Sequence, residues 1–164
     1  MSKKHAQLSW QNDTVPISDK FEDSYYSLEN GLHEANYVFI DGNSLQNRLS
    51  HGFQIAELGF GTGLNFLATC AAWNKTSKTG KFNFVSFEGY PISNVDVRKA
   101  HLLFPELSEY AEVLQTRWDE IIEGNLVDFG FANLKVFIGA VSYTHLRAHE
   151  TKANLVCRLL VEKK

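Results

Sequence analysis

The spacing of apolar positions changes several times along this chain, and the clearest succession lies between residues 53 and 88. Residues 53–58 form a short apolar run with an acidic residue near its end, which is typical of a buried strand. Residues 64–72 place apolar side chains three and four positions apart, and this predicts an amphipathic helix. Phe82–Glu88 is almost continuously apolar, as in a strand of a parallel sheet that is covered on both faces. The three segments together predict a βαβ unit.

Further strands and helices are predicted on either side of this unit. Residues 37–40 are aromatic and β-branched, which favours a strand. Ser93 and Asp96 form a capping pattern that opens a helix. Residues 115–118 fit a short edge strand, and residues 134–139 fit a longer strand. The predicted order of elements is that of the opening half of a doubly wound α/β sheet.

A glycine-rich loop joins the first strand of the unit to its helix. Gly59, Gly61 and Gly63 occupy alternate positions, and Glu57 lies two residues before the first of them. Such glycines let the backbone turn sharply and let a ligand approach where a Cβ would collide. The helix start that follows favours a negative group. A dinucleotide-binding loop has the spacing G-x-G-x-x-G; the alternate spacing behind an acidic residue resembles instead the first motif of S-adenosylmethionine-dependent methyltransferases.

Glu88 is the second candidate ligand-binding residue. It ends the second strand, roughly 25 positions beyond Gly63, where nucleotide-binding folds place an acidic residue for the ribose hydroxyls. A carboxylate can accept hydrogen bonds from both hydroxyls. Right-handed crossover connections bring the ends of the two strands to one edge of the sheet. The sequence therefore predicts that Glu88 lies beside the glycine loop.

Composition adds limits on the class of protein. The chain has 164 residues, is 44% hydrophobic and 21% charged, and carries a formal net charge of −3, so it has no overall basic character of the kind that marks many nucleic-acid-binding proteins. Two cysteines, Cys70 and Cys157, provide no disulfide framework and suit a reducing compartment. No signal peptide and no apolar run of membrane-spanning length is visible. We therefore expect a cytoplasmic domain that does not bind a membrane.

The residue pattern of positions 141–164 differs from that of the rest of the chain. They resemble, almost letter for letter, the translation of a transposase-type sequencing adapter, so we predict a non-native tail and exclude it from the prediction of the fold. His145 and His149 have the i, i+4 spacing of metal ligands on a helix, with Cys157 beyond them. The adapter resemblance accounts for these residues without a metal, so we expect no metal site. The leucines of the last ten residues favour a helix.

A series of short motifs runs in one order from about residue 8 to about residue 139. The most distinctive is Gly-Phe-Gly-Thr-Gly-Leu-Asn-Phe-Leu at residues 59–67. The others include Trp10 and residues 16–18, 21–27, 31–34, 37–39 and 86–88. Together these motifs resemble the methyltransferase half of the bifunctional tRNA 5-methylaminomethyl-2-thiouridine biosynthesis protein (MnmC family).

This resemblance implies a fold and a cofactor. The implied fold is α/β, the N-terminal part of a Rossmann-like S-adenosylmethionine-dependent methyltransferase fold over residues 53–140, with a β-containing lead-in over residues 1–52. The implied cofactor is S-adenosylmethionine. The candidate cofactor-binding residues are Glu57, Gly59, Gly61, Gly63, Asn65, Glu88 and Tyr26.

The resemblance also implies a reaction, namely methyl transfer to the aminomethyl nitrogen of the wobble uridine of tRNA. FAD is implied only for an oxidase domain that would follow in a longer protein. The family's catalytic aspartate lies in an Asp-Gly-Phe-x-Pro motif that has no match here, and Gly139 is followed by Ala140 where the family has an acidic residue. We therefore expect no catalytic residue within this chain and no activity from the chain alone.

Two other interpretations of the glycine loop remain open. An NAD-type Rossmann oxidoreductase would use a similar strand, loop and helix, although its loop has the other glycine spacing and no counterpart of Glu57. A non-enzymatic binding module would use the glycines only to turn the chain. Cofactor binding distinguishes the three readings.

Overall fold

Two separate sheets organise the computed structural model of the chain, which describes residues 5–139 and the backbone of residues 155–158. The smaller sheet is antiparallel and belongs to the predicted lead-in. Its strands, in spatial order, are β1 (Leu8–Gln11), β2 (Val15–Ser18) and β3 (Asp23–Ser24). The prediction that the lead-in contains β structure is therefore confirmed.

The larger sheet has the spatial order β6-β7-β5-β4-β8 and is mostly parallel. Its strands are β4 (Gln54–Leu58), β5 (Phe82–Glu88), β6 (Leu126–Asp128), β7 (Ala132–Ile138) and β8 (Leu155–Arg158). Strands β4, β5, β7 and β8 run parallel, and β6 pairs antiparallel with β7 at one edge. The sequence predicted β4, β5 and β7 because each contains an apolar run, and in the structure alternate positions of each strand are buried.

Helices cover this sheet and connect its strands. They are α1 (Gly31–Glu34), α2 (Leu45–Arg48), α3 (Leu64–Asn74), α4 (Asn94–His101), α5 (Ser108–Thr116) and α6 (Trp118–Ile122). A π-helical segment, Ala35–Asp41, continues α1, and a 3₁₀ turn, Pro105–Leu107, precedes α5. The predicted cap of α4 is confirmed, since the Asp96 N–H donates to the Ser93 hydroxyl oxygen at 3.1 Å.

Helix α3 is buried on more than one side. The sequence predicts a single apolar face, but Phe66, Thr69 and Cys70 are buried as well as the predicted positions. The π-helical segment, α2 and α5 all contact α3, and they cover the sides that the sequence pattern leaves open. Phe66 also packs against the sheet, with its ring centroid 5.3 Å from that of Phe84. Helix α3 is therefore the centre of the core.

Two predicted strands are wrong. Residues 37–40 lie in the π-helical segment, where the Gly42 N–H bonds the Tyr37 carbonyl at 3.0 Å. Phe39 packs on Phe84 of β5, so tertiary contacts outweigh the strand propensity of this run. Residues 115–118 fall at the end of α5 and the start of α6, and not on an edge strand.

The fifth strand of the larger sheet comes from the segment that the sequence prediction excluded. The backbone of β8 pairs with β4 from Gln54 opposite Leu155 to Glu57 opposite Arg158. The helix favoured by leucine content is wrong at these positions, because the outer edge of β4 offers unpaired backbone groups that a strand satisfies. In the order of a doubly wound sheet, this is the place of the strand that follows the first three. Within the described residues, no helix is long and apolar enough to cross a bilayer.

Candidate cofactor site

The glycine loop lies between the end of β4 and the start of α3, and its glycines adopt backbone angles that other residues rarely take. The φ angles of Gly61 and Gly63 are 55° and 75°, in the left-handed region. A Cβ at Gly61 would lie 3.0 Å from Cδ1 of Tyr25, and a Cβ at Gly63 would lie 3.0 Å from the ring of Phe60. The loop therefore needs glycine both for its backbone angles and for the close approach of neighbouring rings.

Glu88 lies beside this loop, as the sequence predicts. Its Oε2 accepts a hydrogen bond from the Gly61 N–H at 2.9 Å, and its Oε1 accepts one from the Tyr90 N–H at 2.7 Å. The parallel pairing of β4 with β5 produces this contact, because both strands end at the same edge of the sheet. Each carboxylate oxygen has a second lone pair, so the group can still accept hydrogen bonds from ligand hydroxyls.

Glu57 is buried beneath the loop and connects three elements. Its side chain is 2% exposed. Oε1 accepts a hydrogen bond from Nδ2 of Asn65 in α3 at 2.7 Å, and Oε2 accepts one from the Ser86 hydroxyl of β5 at 3.1 Å. The structure thus brings Glu57 and Asn65 together at the base of the loop, next to Gly59, whose N–H bonds the Phe87 carbonyl at 2.8 Å. Direct contact of Glu57 or Asn65 with a cofactor stays a prediction.

Loss of the Glu57 carboxylate should destabilise the fold. Glu57→Ala removes the acceptor for Asn65 and Ser86 and leaves a cavity, so we expect the free energy of unfolding to fall by about 2–4 kcal/mol. Glu57→Gln keeps the shape and one acceptor oxygen, and should cost about 1 kcal/mol. Urea unfolding followed by circular dichroism measures both values. Equal losses in the two variants would contradict a role for these hydrogen bonds.

Of the two adjacent tyrosines, Tyr25 and not Tyr26 lies at the glycine loop. The Tyr26 hydroxyl donates to the Ala100 carbonyl at 3.0 Å, and its ring packs edge-on against Phe104 with centroids 5.1 Å apart. Tyr26 is therefore placed in the core, and its assignment as a cofactor contact stays a prediction. Adjacent residues of an extended segment point to opposite sides, but the sequence does not show which tyrosine points to the loop.

The hydroxyl of Tyr25 is held in its protonated form. Burial and, to a smaller extent, the negative charge of Glu88 raise the pKa of Tyr25 to about 12, against the opposing effect of a hydrogen bond with Ser18. At neutral pH this hydroxyl therefore remains a hydrogen-bond donor as well as an acceptor. It is a polar group at the loop that the sequence prediction did not include.

Two exposed aromatic rings border the site. Tyr90 is 40% exposed and Phe21 is 60% exposed, and their ring centroids lie 5.6 Å apart. The ammonium group of Lys20 lies 3.6 Å from the Tyr90 ring centroid. Because the Tyr90 N–H bonds Glu88, this pair of rings adjoins the predicted ribose position. The sequence offered no signal for it, since Phe21 and Tyr90 are far apart in the chain.

Metal binding has no support in the described part of the chain. Within residues 5–139, no group of histidine, cysteine, aspartate and glutamate side chains is arranged to hold a metal ion. His145 and His149 lie outside the described residues, and so does the side chain of Cys157. Cys70 is fully buried in α3, and burial raises the pKa of its thiol.

Comparison with known proteins gives a consistent set of relatives. No family model matches the chain. The tRNA 5-methylaminomethyl-2-thiouridine biosynthesis bifunctional protein MnmC of Leptospira borgpetersenii is 43% identical over 143 residues, which cover 82% of this chain and 22% of that protein. The proteins of the same name from Vibrio cholerae and Aeromonas hydrophila are 39% and 42% identical, and the matches cover 85% and 75% of this chain. The chain spans about a fifth of the length of these relatives.

A solved structure shares the fold. The crystal structure of MnmC2 from Aquifex aeolicus has a TM-score of 0.63 and covers 91% of this chain and 47% of that chain. The two chains are 19% identical, so this likeness concerns the fold alone. It confirms the Rossmann-like α/β prediction, including the parallel arrangement of β4, β5 and β7.

Proposed function

The chain belongs to the MnmC family, and from this premise we propose that it is part of a tRNA-modifying methyltransferase and forms one side of its S-adenosylmethionine site. The curated relatives are named for the biosynthesis of 5-methylaminomethyl-2-thiouridine in tRNA. The proposed substrate is accordingly the wobble uridine of a tRNA, and the proposed compartment is the cytoplasm. A second activity, with FAD as its cofactor, is proposed only for a longer protein that includes an oxidase domain.

The contact between Glu88 and the glycine loop carries the proposal. A carboxylate at the end of β5 lies 2.9 Å from the Gly61 nitrogen, so ribose hydroxyls bound to Glu88 would place the rest of a nucleoside ligand over the loop. S-adenosylmethionine has a ribose, a carboxylate and an ammonium group, but no phosphate. The start of α3 suits the carboxylate, and the glycines leave space for close approach. The residues present therefore fit this cofactor.

The chemistry that the bound cofactor supplies is a methyl group activated by a sulfonium. In the proposed reaction, Glu88 and the glycine loop at Gly61 would hold the cofactor, which would supply this methyl group to the aminomethyl nitrogen. The amine must be neutral when it attacks, because its lone pair makes the new bond. This chain contributes alignment of the reacting groups, which lowers the barrier of such reactions by a large part of its height. The group that removes the proton is proposed to lie in the longer protein, so the chain alone should be inactive.

Calorimetry with two ligands tests the proposal. We expect the chain to bind S-adenosylhomocysteine, which lacks only the transferred methyl group, and not NAD. The same titrations on a protein extended to the length of the relatives should give tighter S-adenosylhomocysteine binding, because the extension completes the site. Binding of NAD without binding of S-adenosylhomocysteine to either protein would favour the oxidoreductase reading and overturn the proposal.

A further inference from the structure

A buried histidine connects the glycine loop to helices α4 and α5. His101, the last residue of α4, is 5% exposed. Its Nε2 lies 2.8 Å from the carbonyl oxygen of Thr62, the buried residue between Gly61 and Gly63. Its Nδ1 lies 3.0 Å from Nε2 of Gln115 in α5. Both ring nitrogens are therefore engaged inside the protein.

Arg98 sets the direction of every hydrogen bond in this chain of contacts. A guanidinium group can only donate, and Nη1 of Arg98 lies 3.3 Å from Oε1 of Gln115. The Gln115 amide is thereby oriented with its NH₂ group toward His101, where it donates to Nδ1. A ring nitrogen that accepts carries no proton, so the proton of the neutral ring lies on Nε2 and is donated to the Thr62 carbonyl.

The same arrangement keeps His101 neutral. Burial lowers the pKa of His101, and the hydrogen bond to the Thr62 carbonyl opposes this effect in part. A second proton would lie on Nδ1, where it would face the NH₂ group of Gln115, and two donors would then oppose each other. The ring therefore acts as a fixed neutral donor to the loop.

The Thr62 carbonyl belongs to the peptide unit that leads into α3. The other end of that unit, the Gly63 N–H, donates to the Phe60 carbonyl at 2.8 Å. Hydrogen bonds at both ends fix the plane of this peptide. Because α3 begins at Leu64, this plane sets the direction in which the first N–H groups of the helix point. On the other side of the loop, Glu88 holds the Gly61 N–H.

We propose that Arg98, Gln115 and His101 are positioning residues for the cofactor site. They hold the peptide between Thr62 and Gly63 in the orientation that aims the start of α3 at the ligand, although none of the three is among the candidate ligand contacts. The ligand in this inference rests on the proposed function. The direction of the hydrogen bonds and the fixing of the loop do not, since they follow from the geometry alone.

The first test is the tautomer of His101 in the unaltered chain. Long-range ¹H–¹⁵N correlation spectra at neutral pH should show a neutral ring with the proton on Nε2. Arg98→Met removes the donor that orients Gln115 without altering the buried residues, and the spectrum should then show a mixture of tautomers. A proton on Nδ1 in the unaltered chain would overturn the inference.

The second test compares three variants by amide hydrogen exchange and by calorimetry with S-adenosylhomocysteine. His101→Leu removes both hydrogen bonds, so exchange at Gly63 and Leu64 should become faster and the affinity should fall about tenfold. His101→Gln places an NH₂ group near the position of Nε2 and should restore most of both properties. Val95→Ala changes an exposed residue of the same helix and should leave both unchanged.

The outcomes separate this inference from the proposed function. Loop exchange in His101→Leu equal to that of the unaltered chain would overturn the positioning role, and so would faster exchange with unchanged affinity. Failure of the unaltered chain to bind S-adenosylhomocysteine would count against the proposed function. The tautomer and the exchange rates would in that case still decide whether the three residues fix the loop.

Discussion

Trp118→Ala should cost about 3–5 kcal/mol of unfolding free energy, the range measured when a large buried aromatic residue is truncated. The Trp118 side chain is fully buried at the start of α6. Its indole N–H donates to the Ile92 carbonyl at 2.9 Å, and its ring stacks on Phe60 of the glycine loop with centroids 5.7 Å apart. The truncation would remove the packing and the donor together, and would leave the Ile92 carbonyl buried without its partner. Because domains of this size are stable by only about 5–15 kcal/mol, the variant should be close to unfolding.

Two control variants separate the contributions of Trp118. Trp118→Phe keeps an aromatic ring against Phe60 but loses the N–H, and we expect a loss of about 1–2 kcal/mol. Trp73→Ala removes a buried tryptophan of α3 that packs on Phe82, so it should destabilise the core without touching the loop. Chemical unfolding measures all three. A loss below about 1.5 kcal/mol for Trp118→Ala would contradict its place in the core.

The part of the fold that the sequence predicted is the part that local chemistry determines. Strand β5 was predicted as a parallel strand because its residues are almost continuously apolar, and the loop before α3 was predicted as a tight turn because glycines alternate there. The proximity of Glu88 to Gly61 was predicted because a right-handed connection brings the ends of β4 and β5 to the same edge of the sheet. Each inference needed only short-range patterns and one general rule of topology.

The wrong predictions share a different physical cause. Residues 37–40 have strand propensity, but Phe39 finds its partner in Phe84 of β5, and a π-helical segment presents it there. The sequence of helix α3 predicted a single buried face. The segments that cover its other faces are distant in sequence, so the periodicity of the helix itself does not indicate them. In each case a contact distant in sequence outweighed the local preference.

The same limit applies to the candidate site. Tyr25 and His101 lie 36 and 39 positions from the loop residues that they contact, Gly61 and Thr62. No spacing rule joins them to the glycine motif. Sequence alone therefore located the glycine loop but not Tyr25 and His101, the residues that contact it.

Gly61→Val should remove S-adenosylhomocysteine binding while leaving the fold in place. Valine at a φ of 55° is strained by about 1–2 kcal/mol, and its Cβ would lie 3.0 Å from Cδ1 of Tyr25. Its two methyl groups would occupy the space over the loop that a ligand needs. A loss of about 3 kcal/mol in binding free energy corresponds to at least a hundredfold weaker binding. Calorimetry measures the affinity, and circular dichroism with urea measures the stability.

Gly130→Val is the matched control for this prediction. Gly130 has a φ of 85°, also in the left-handed region, but a Cβ there would meet no atom within 4 Å. Its turn precedes β7 and lies outside the candidate site. The backbone strain of the two variants should be similar, and Gly61→Val should lose further stability from its close contact with Tyr25. Only Gly61→Val should lose the ligand. Equal affinities in the two variants would mean that the alternate glycines serve the turn alone, and would support the reading of this loop as part of a non-enzymatic module.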